Sequence, residues 1–130
     1  MRSFVSVFLG MLTWAVIVQG AFAAVQAASP DTFAADGSTE SAAVLVGFLA
    51  LSVVASVAAG QVTARLAPRA PMKHVLVLGL IQLALGIFFQ ARAWEVQPLW
   101  YHLPFLVLLL PGNLVGGLMV GQGAAQARAA

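Results

Sequence analysis

The chain has 130 residues, of which 62% are hydrophobic and 8% charged, and its formal net charge is +2. An ordinary soluble domain carries about 25% charged residues, and its surface could not hide this much apolar area from water. The composition therefore excludes a soluble monomer, and it excludes a disordered chain, which needs low hydrophobicity and high charge. The lack of cysteine excludes disulfides and thiolate metal sites. Six scattered cations form no phosphate-binding surface, so no nucleic-acid partner is expected.

Four long apolar stretches predict the architecture. They cover residues 4–28, 41–64, 74–93 and 100–120, and a helix needs roughly 20 residues to cross the hydrocarbon core. Continuous apolar runs without alternation exclude a transmembrane β-barrel. Because the connections are short, we predict a single all-α domain, an integral membrane bundle of four transmembrane helices in up-down antiparallel order.

The first stretch also allows a second interpretation. Arg2, the apolar run and the small-residue triplets at 21–23 and 26–28 are typical of a cleaved secretory signal. Cleavage would leave three helices and an outside N-terminus. The apolar run continues to about Ala28, which is long enough to span, so we favour an uncleaved first helix.

The basic residues predict the orientation. With four spans, the side that holds both termini carries Arg2, Arg65, Arg69, Lys73 and Arg128. The opposite side carries only Arg92, so the positive-inside rule predicts that both termini are cytoplasmic. Three of these cations, Arg65, Arg69 and Lys73, are expected to contact lipid headgroups.

Chemistry-bearing side chains are scarce inside the spans. Every Lys, Arg, Asp and Glu lies at or beyond a helix end, which argues against an ion-coupled carrier and an intramembrane protease. His74 and His102 fall at opposite ends of the bundle, so one chain cannot use both for a single metal or haem. We predict no enzyme, no catalytic or metal-binding residue and no cofactor.

Three amides fall within the spans: Gln19, Gln82 and Asn113. A buried amide in lipid usually bonds to another helix, so we expect hydrogen bonds between helices or subunits. The alternative is a polar track for a solute or a quinone headgroup.

Small residues recur every four positions, as Ser52, Ser56 and Gly60 in the second span and as the G-x-x-x-G pairs Gly112/Gly116 and Gly117/Gly121 in the fourth. Such residues let helices approach closely. We expect them to pack within the bundle or against a partner protein, with a glycine-lined passage as a further alternative.

Two prolines and an aromatic cluster mark the fourth span. Pro104 is expected in its first turn, whereas Pro111 predicts a kink or, alternatively, a broken helix that lines a site. An interfacial belt is predicted for Trp94, Trp100, Tyr101 and His102. In that belt the histidine donates to lipid or to a loop carbonyl; a quinone or lipid pocket is the alternative.

The segment 60–74, the stretch 98–102 and the glycine-rich fourth span resemble a group of small bacterial inner-membrane proteins. These are uncharacterised four-span proteins with an A-R-x-A-P-R-x-P turn, which reads here from Ala64 to Pro71. The resemblance covers about two-thirds of the chain and implies a multi-pass protein of the bacterial inner membrane. It implies no activity.

The sequence therefore predicts a non-enzymatic membrane protein. The favoured function is an accessory or assembly subunit that packs through its small-residue faces against a membrane-protein partner or a second copy. The alternative is an oligomeric channel for an ion or small solute, which would use Asn113, Gln82 and a helix break at Pro111.

Overall fold

The computed structural model describes residues 1–129 and consists of four long helices. They are α1 (Arg2–Ala28), α2 (Ala42–Leu66), α3 (Pro71–Arg92) and α4 (Leu99–Ala129), with one turn of 3₁₀ helix, Pro30–Thr32, after α1. Each of the four is long and apolar enough to cross a membrane. The predicted all-α bundle of four membrane-spanning helices is confirmed.

The helix ends differ from the predicted spans mainly in α4, which continues beyond residue 120 to Ala129. The residues after the apolar stretch include several alanines, which favour helix without adding much hydropathy. At the other end α3 begins at Pro71, because proline suits the first position of a helix, where its missing N–H is not needed. The preceding Ala70 adopts a left-handed conformation with φ of 44°.

The helices do not pack in simple chain order around the bundle. The largest contacts of α2 are with α4 and α1, whereas α3 packs mainly on α4 and least on α1. Within the described chain, no Cα atom of α1 lies within 8 Å of a Cα atom of α4. The order around the bundle is therefore α1, α2, α4, α3, and α1 and α4 face each other across it.

The backbones of α2 and α4 approach each other closely. A Cβ atom on Gly60 would overlap the Asn113 carbonyl oxygen, and one on Gly116 would overlap the Val57 carbonyl oxygen. On Gly112 it would lie 2.8 Å from Cβ of Ser56. These two helices approach so closely because small residues face each other across the contact.

The two prolines of α4 do not interrupt it. The helix is continuous from Leu99 to Ala129, so the helix break considered at Pro111 is not present. We predicted Pro104 in the first turn of this helix. Because α4 already begins at Leu99, Pro104 lies in the second turn, so that prediction is wrong.

Candidate functional site

A chamber of about 490 Å³ lies inside the bundle. It is towards the end formed by the loop 29–41 and the link 93–98, which we call the loop end. The volume falls within the range of about 300–1,000 Å³ that is usual for small-molecule sites. Its wall is contributed by all four helices and by both connections at the loop end, among them Trp14, Gln19, Gln82, Gln90, Gln97, Tyr101 and Phe105.

Three residues that line the chamber each carry a buried polar atom without a partner in the protein. Among the buried side-chain atoms described, four have no hydrogen bond: Trp14 Nε1, Gln82 Nε2 and Gln97 Oε1, on residues that line the chamber, and Asn113 Oδ1, on a residue that does not. Gln82 is only 3% exposed. A buried polar group without a partner costs about 1–3 kcal/mol, so three of them at one cavity are unusual for a purely structural space.

Gln82 is fixed from the side opposite its free nitrogen. Its Oε1 accepts a hydrogen bond of 2.6 Å from Nδ2 of Asn113, which also donates to the Leu109 carbonyl oxygen at 2.7 Å. The predicted pairing of amides between helices therefore joins two of the three amides, across α3 and α4. Gln19 lies in the chamber wall with Gln82, whereas Asn113 lies behind Gln82 and outside the wall.

A buried histidine orders the loop end. His102 is fully buried; its Nδ1 contacts Oε1 of Gln90 and its Nε2 lies 3.2 Å from the Gln97 carbonyl oxygen. Its ring stacks on Trp94 with centroids 4.8 Å apart. The predicted bond to a loop carbonyl is therefore present, and the ring is enclosed by the 93–98 link instead of facing lipid.

These contacts set the position of two chamber residues. Both Gln90 and Gln97 line the chamber, and both touch His102 from the other side. A neutral imidazole has one N–H and one acceptor nitrogen. Both partner atoms of His102 are oxygens, so a neutral ring donates its one N–H to either the Gln90 side chain or the Gln97 carbonyl.

Aromatic rings form one side of the chamber and bridge α1 to α4. Trp14 meets Phe105 edge to face, with ring centroids 6.4 Å apart, and Phe105 stacks on Tyr101 at 5.9 Å. Tyr101 is buried in this wall, whereas Trp100 is 44% exposed and outside it. Of the four residues predicted to form a belt, Trp94 and Trp100 are exposed, Tyr101 lies in the chamber wall and His102 is buried against the 93–98 link.

The loop 29–41 folds over the end of the chamber. Thr39 donates a 2.8 Å hydrogen bond to the Thr32 carbonyl oxygen, and both Thr39 and Gly37 reach the chamber wall. Phe33 packs against Phe22 at 5.6 Å. Hydrogen bonds from the Ser38 hydroxyl and backbone N–H lower the pKa of Asp36, so this turn loses those bonds only when the pH falls below the usual aspartate range.

The chamber reaches the outer surface between α1 and α3. Gln19, Leu85 and Phe89 line it and are also exposed on the outside of the bundle. A second cavity of about 550 Å³, the α1–α3 groove, follows between the other halves of the same helices and is lined mainly by apolar residues such as Phe4, Phe8 and Val77. Met11 borders both cavities.

The remaining predicted residues lie apart from the chamber. Ser52 and Ser56 are buried on α2, and Gly117 faces Val75 of α3 at 3.0 Å from where its Cβ would be. Gly121 is exposed and has open space around it. The surface cations Arg65, Arg69 and Lys73 are exposed, and Lys73 lies at the edge of the α1–α3 groove.

Sequence reasoning missed Trp14, Gln97 and the burial of His102. A signal existed for Trp14, since tryptophan is enriched at membrane interfaces and this residue lies near the middle of α1. Nothing comparable marks Gln97, because its role depends on how the 93–98 link folds back.

Comparison of the chain with protein-family models, with curated proteins and with solved structures gives no match. The resemblance to small four-span bacterial proteins therefore stays a prediction.

Proposed function

We propose that this chain is a non-enzymatic membrane protein that binds a small amphipathic molecule in the chamber between its helices. The observation that carries the proposal is that three residues lining one cavity have buried polar atoms without partners. Their desolvation is compensated when a ligand supplies hydrogen bonds to them.

The shape of the chamber supports an occupant that arrives from the membrane. The opening between α1 and α3 is bordered by Leu85, Phe89 and Gln19, so its rim is apolar apart from one amide. The polar atoms lie deeper, with Gln82 almost fully buried. A molecule with an apolar tail and a polar head matches this order, since its head can enter while its tail stays in lipid.

The test compares two identical substitutions on one helix. Ala15→Phe adds a ring inside the chamber, because Ala15 lines it, whereas Ala23→Phe adds the same ring at an exposed position outside it. We expect native mass spectrometry after gentle extraction to show a bound small molecule on the wild type and on Ala23→Phe, and a large loss on Ala15→Phe. Equal occupancy of all three proteins, or no bound molecule on any, would contradict the proposal.

A second candidate function is the accessory subunit, and the α1–α3 groove favours it. The groove is long and mostly apolar, with Phe4 and Phe8 on one side and Ile81 on the other, which suits an apolar helix of a partner membrane protein. Val77→Phe would fill it, since Val77 lines the groove and is exposed. This candidate predicts that a partner protein co-purifies with the wild type and with Ala15→Phe. The same partner should be lost from Val77→Phe, because the added ring fills the groove.

The oligomeric channel has weaker support. The Asn113 amide nitrogen already donates to Gln82 and to the Leu109 carbonyl oxygen of its own helix. The helix α4 is not broken at Pro111. Either favoured role is proposed for the bacterial inner membrane with both termini cytoplasmic, as the resemblance and the basic residues suggest.

A further inference from the structure

Of the three unpartnered buried atoms on residues that line the chamber, two are donors. Trp14 has one free N–H. Gln82 has a free NH₂ group, while the oxygen of the same amide already accepts a hydrogen bond from Asn113. Gln97 Oε1 is the single unpartnered acceptor among the buried side-chain atoms of this wall. A complementary ligand must therefore carry mainly hydrogen-bond acceptors.

The wall also sets the charge of the ligand. No described residue that lines the chamber has an Asp, Glu, Lys, Arg or His side chain. An ionised headgroup would lose its hydration there without meeting an opposite charge, which is costly in an apolar surrounding. Phosphate, carboxylate and ammonium heads are therefore disfavoured, and an uncharged carbonyl acceptor is the group that fits.

The aromatic wall favours a flat head. Trp14, Phe105 and Tyr101 form a connected series of rings beside the donors. Aromatic rings stack or meet edge to face with planar groups at centroid distances of about 4.5–7 Å. Planar carbonyl compounds can use this wall and the two donors at the same time.

We infer that the chamber binds a neutral, tailed carbonyl compound of the quinone class, with a ring carbonyl accepting from Trp14 Nε1–H or Gln82 Nε2–H. The inference rests on the proposed function, that the chamber holds a small amphipathic molecule. An acylglycerol carries the same carbonyl acceptors without a flat ring, and the experiment separates these two sources.

The experiment measures Kd for the full chain in lipid nanodiscs with three probes: a short-tailed benzoquinone, the alkylbenzene with the same tail, and dioctanoylglycerol. Trp14→Phe removes one donor and keeps an aromatic ring, and Trp100→Phe is the matched control outside the chamber. We expect the quinone to bind more tightly than the alkylbenzene. Trp14→Phe should weaken quinone binding by about three- to tenfold, whereas Trp100→Phe leaves it unchanged.

The alkylbenzene checks the fold, since its Kd should be the same for wild type and Trp14→Phe. If quinone and alkylbenzene bind equally and Trp14→Phe changes neither, carbonyl recognition is overturned, while loss of both in Ala15→Phe still supports the proposed function. Trp14-dependent binding of dioctanoylglycerol without the quinone overturns the flat-ring assignment. Failure of every probe to bind the wild type overturns the inference and counts against the proposed function.

Discussion

At the scale of single residues, the amide pair Gln82 and Asn113 separates a structural role from a transport role. Asn113 is fully buried and donates to Gln82 across α3 and α4. Replacing it by Leu keeps the branched side chain of four heavy atoms and leaves Gln82 Oε1 without its donor. We expect Asn113→Leu to destabilise the bundle by about 1–2 kcal/mol, measured by denaturation in mixed detergent micelles.

The double variant provides the control for that measurement. In Asn113→Leu with Gln82→Leu both partners are apolar, so the loss should be smaller than the sum of the two single losses, with a coupling of about 1 kcal/mol. Additive losses would mean that the 2.6 Å contact contributes nothing. Wild-type stability together with lost solute flux in Asn113→Leu would instead favour the channel.

At the scale of helices, the two glycine pairs of α4 differ in what they contact. Gly116 faces the backbone of α2, where an added methyl would overlap the Val57 carbonyl oxygen, whereas Gly121 faces open space. We expect Gly116→Ala to destabilise the bundle by about 1–3 kcal/mol, because backbone cannot move aside as a side chain can.

Gly121→Ala is the matched control in the same helix. It should be neutral or slightly stabilising, because alanine has the higher helix propensity and meets no neighbour. Detergent denaturation of the two variants side by side measures the difference. Equal stability of both would show that α2 and α4 are farther apart in the membrane than in this structure.

The sequence predicted the helices of this fold but not the chamber between them. Length and hydropathy predicted four spanning helices, because the thickness of the bilayer dictates how many apolar residues each must have. They could not predict which face of each helix is buried, since apolar residues surround every helix. The chamber could therefore not be predicted, because Trp14, Gln82 and Gln97 come together only through the order α1, α2, α4, α3.

At the scale of the whole molecule, the chamber lies at the end of the bundle opposite to most of the basic residues. Gly37 and Gln97 reach the chamber at the loop end, whereas Arg65, Arg69 and Lys73 surround the turn between α2 and α3. If the positive-inside rule holds, the chamber lies in the half of the bilayer away from the cytoplasm, and an amphipathic ligand enters from that leaflet.

The lack of native cysteine makes this orientation directly measurable. Ala35→Cys in the loop 29–41 and Ala70→Cys in the α2–α3 turn are both exposed. In intact bacterial cells we expect a membrane-impermeant maleimide to label Ala35→Cys at once and Ala70→Cys only after permeabilisation. Val54→Cys, which is exposed in the middle of α2, should stay unlabelled in both conditions, since lipid covers it. Reversed labelling of the first two would move the chamber to the cytoplasmic half and contradict the expected entry side.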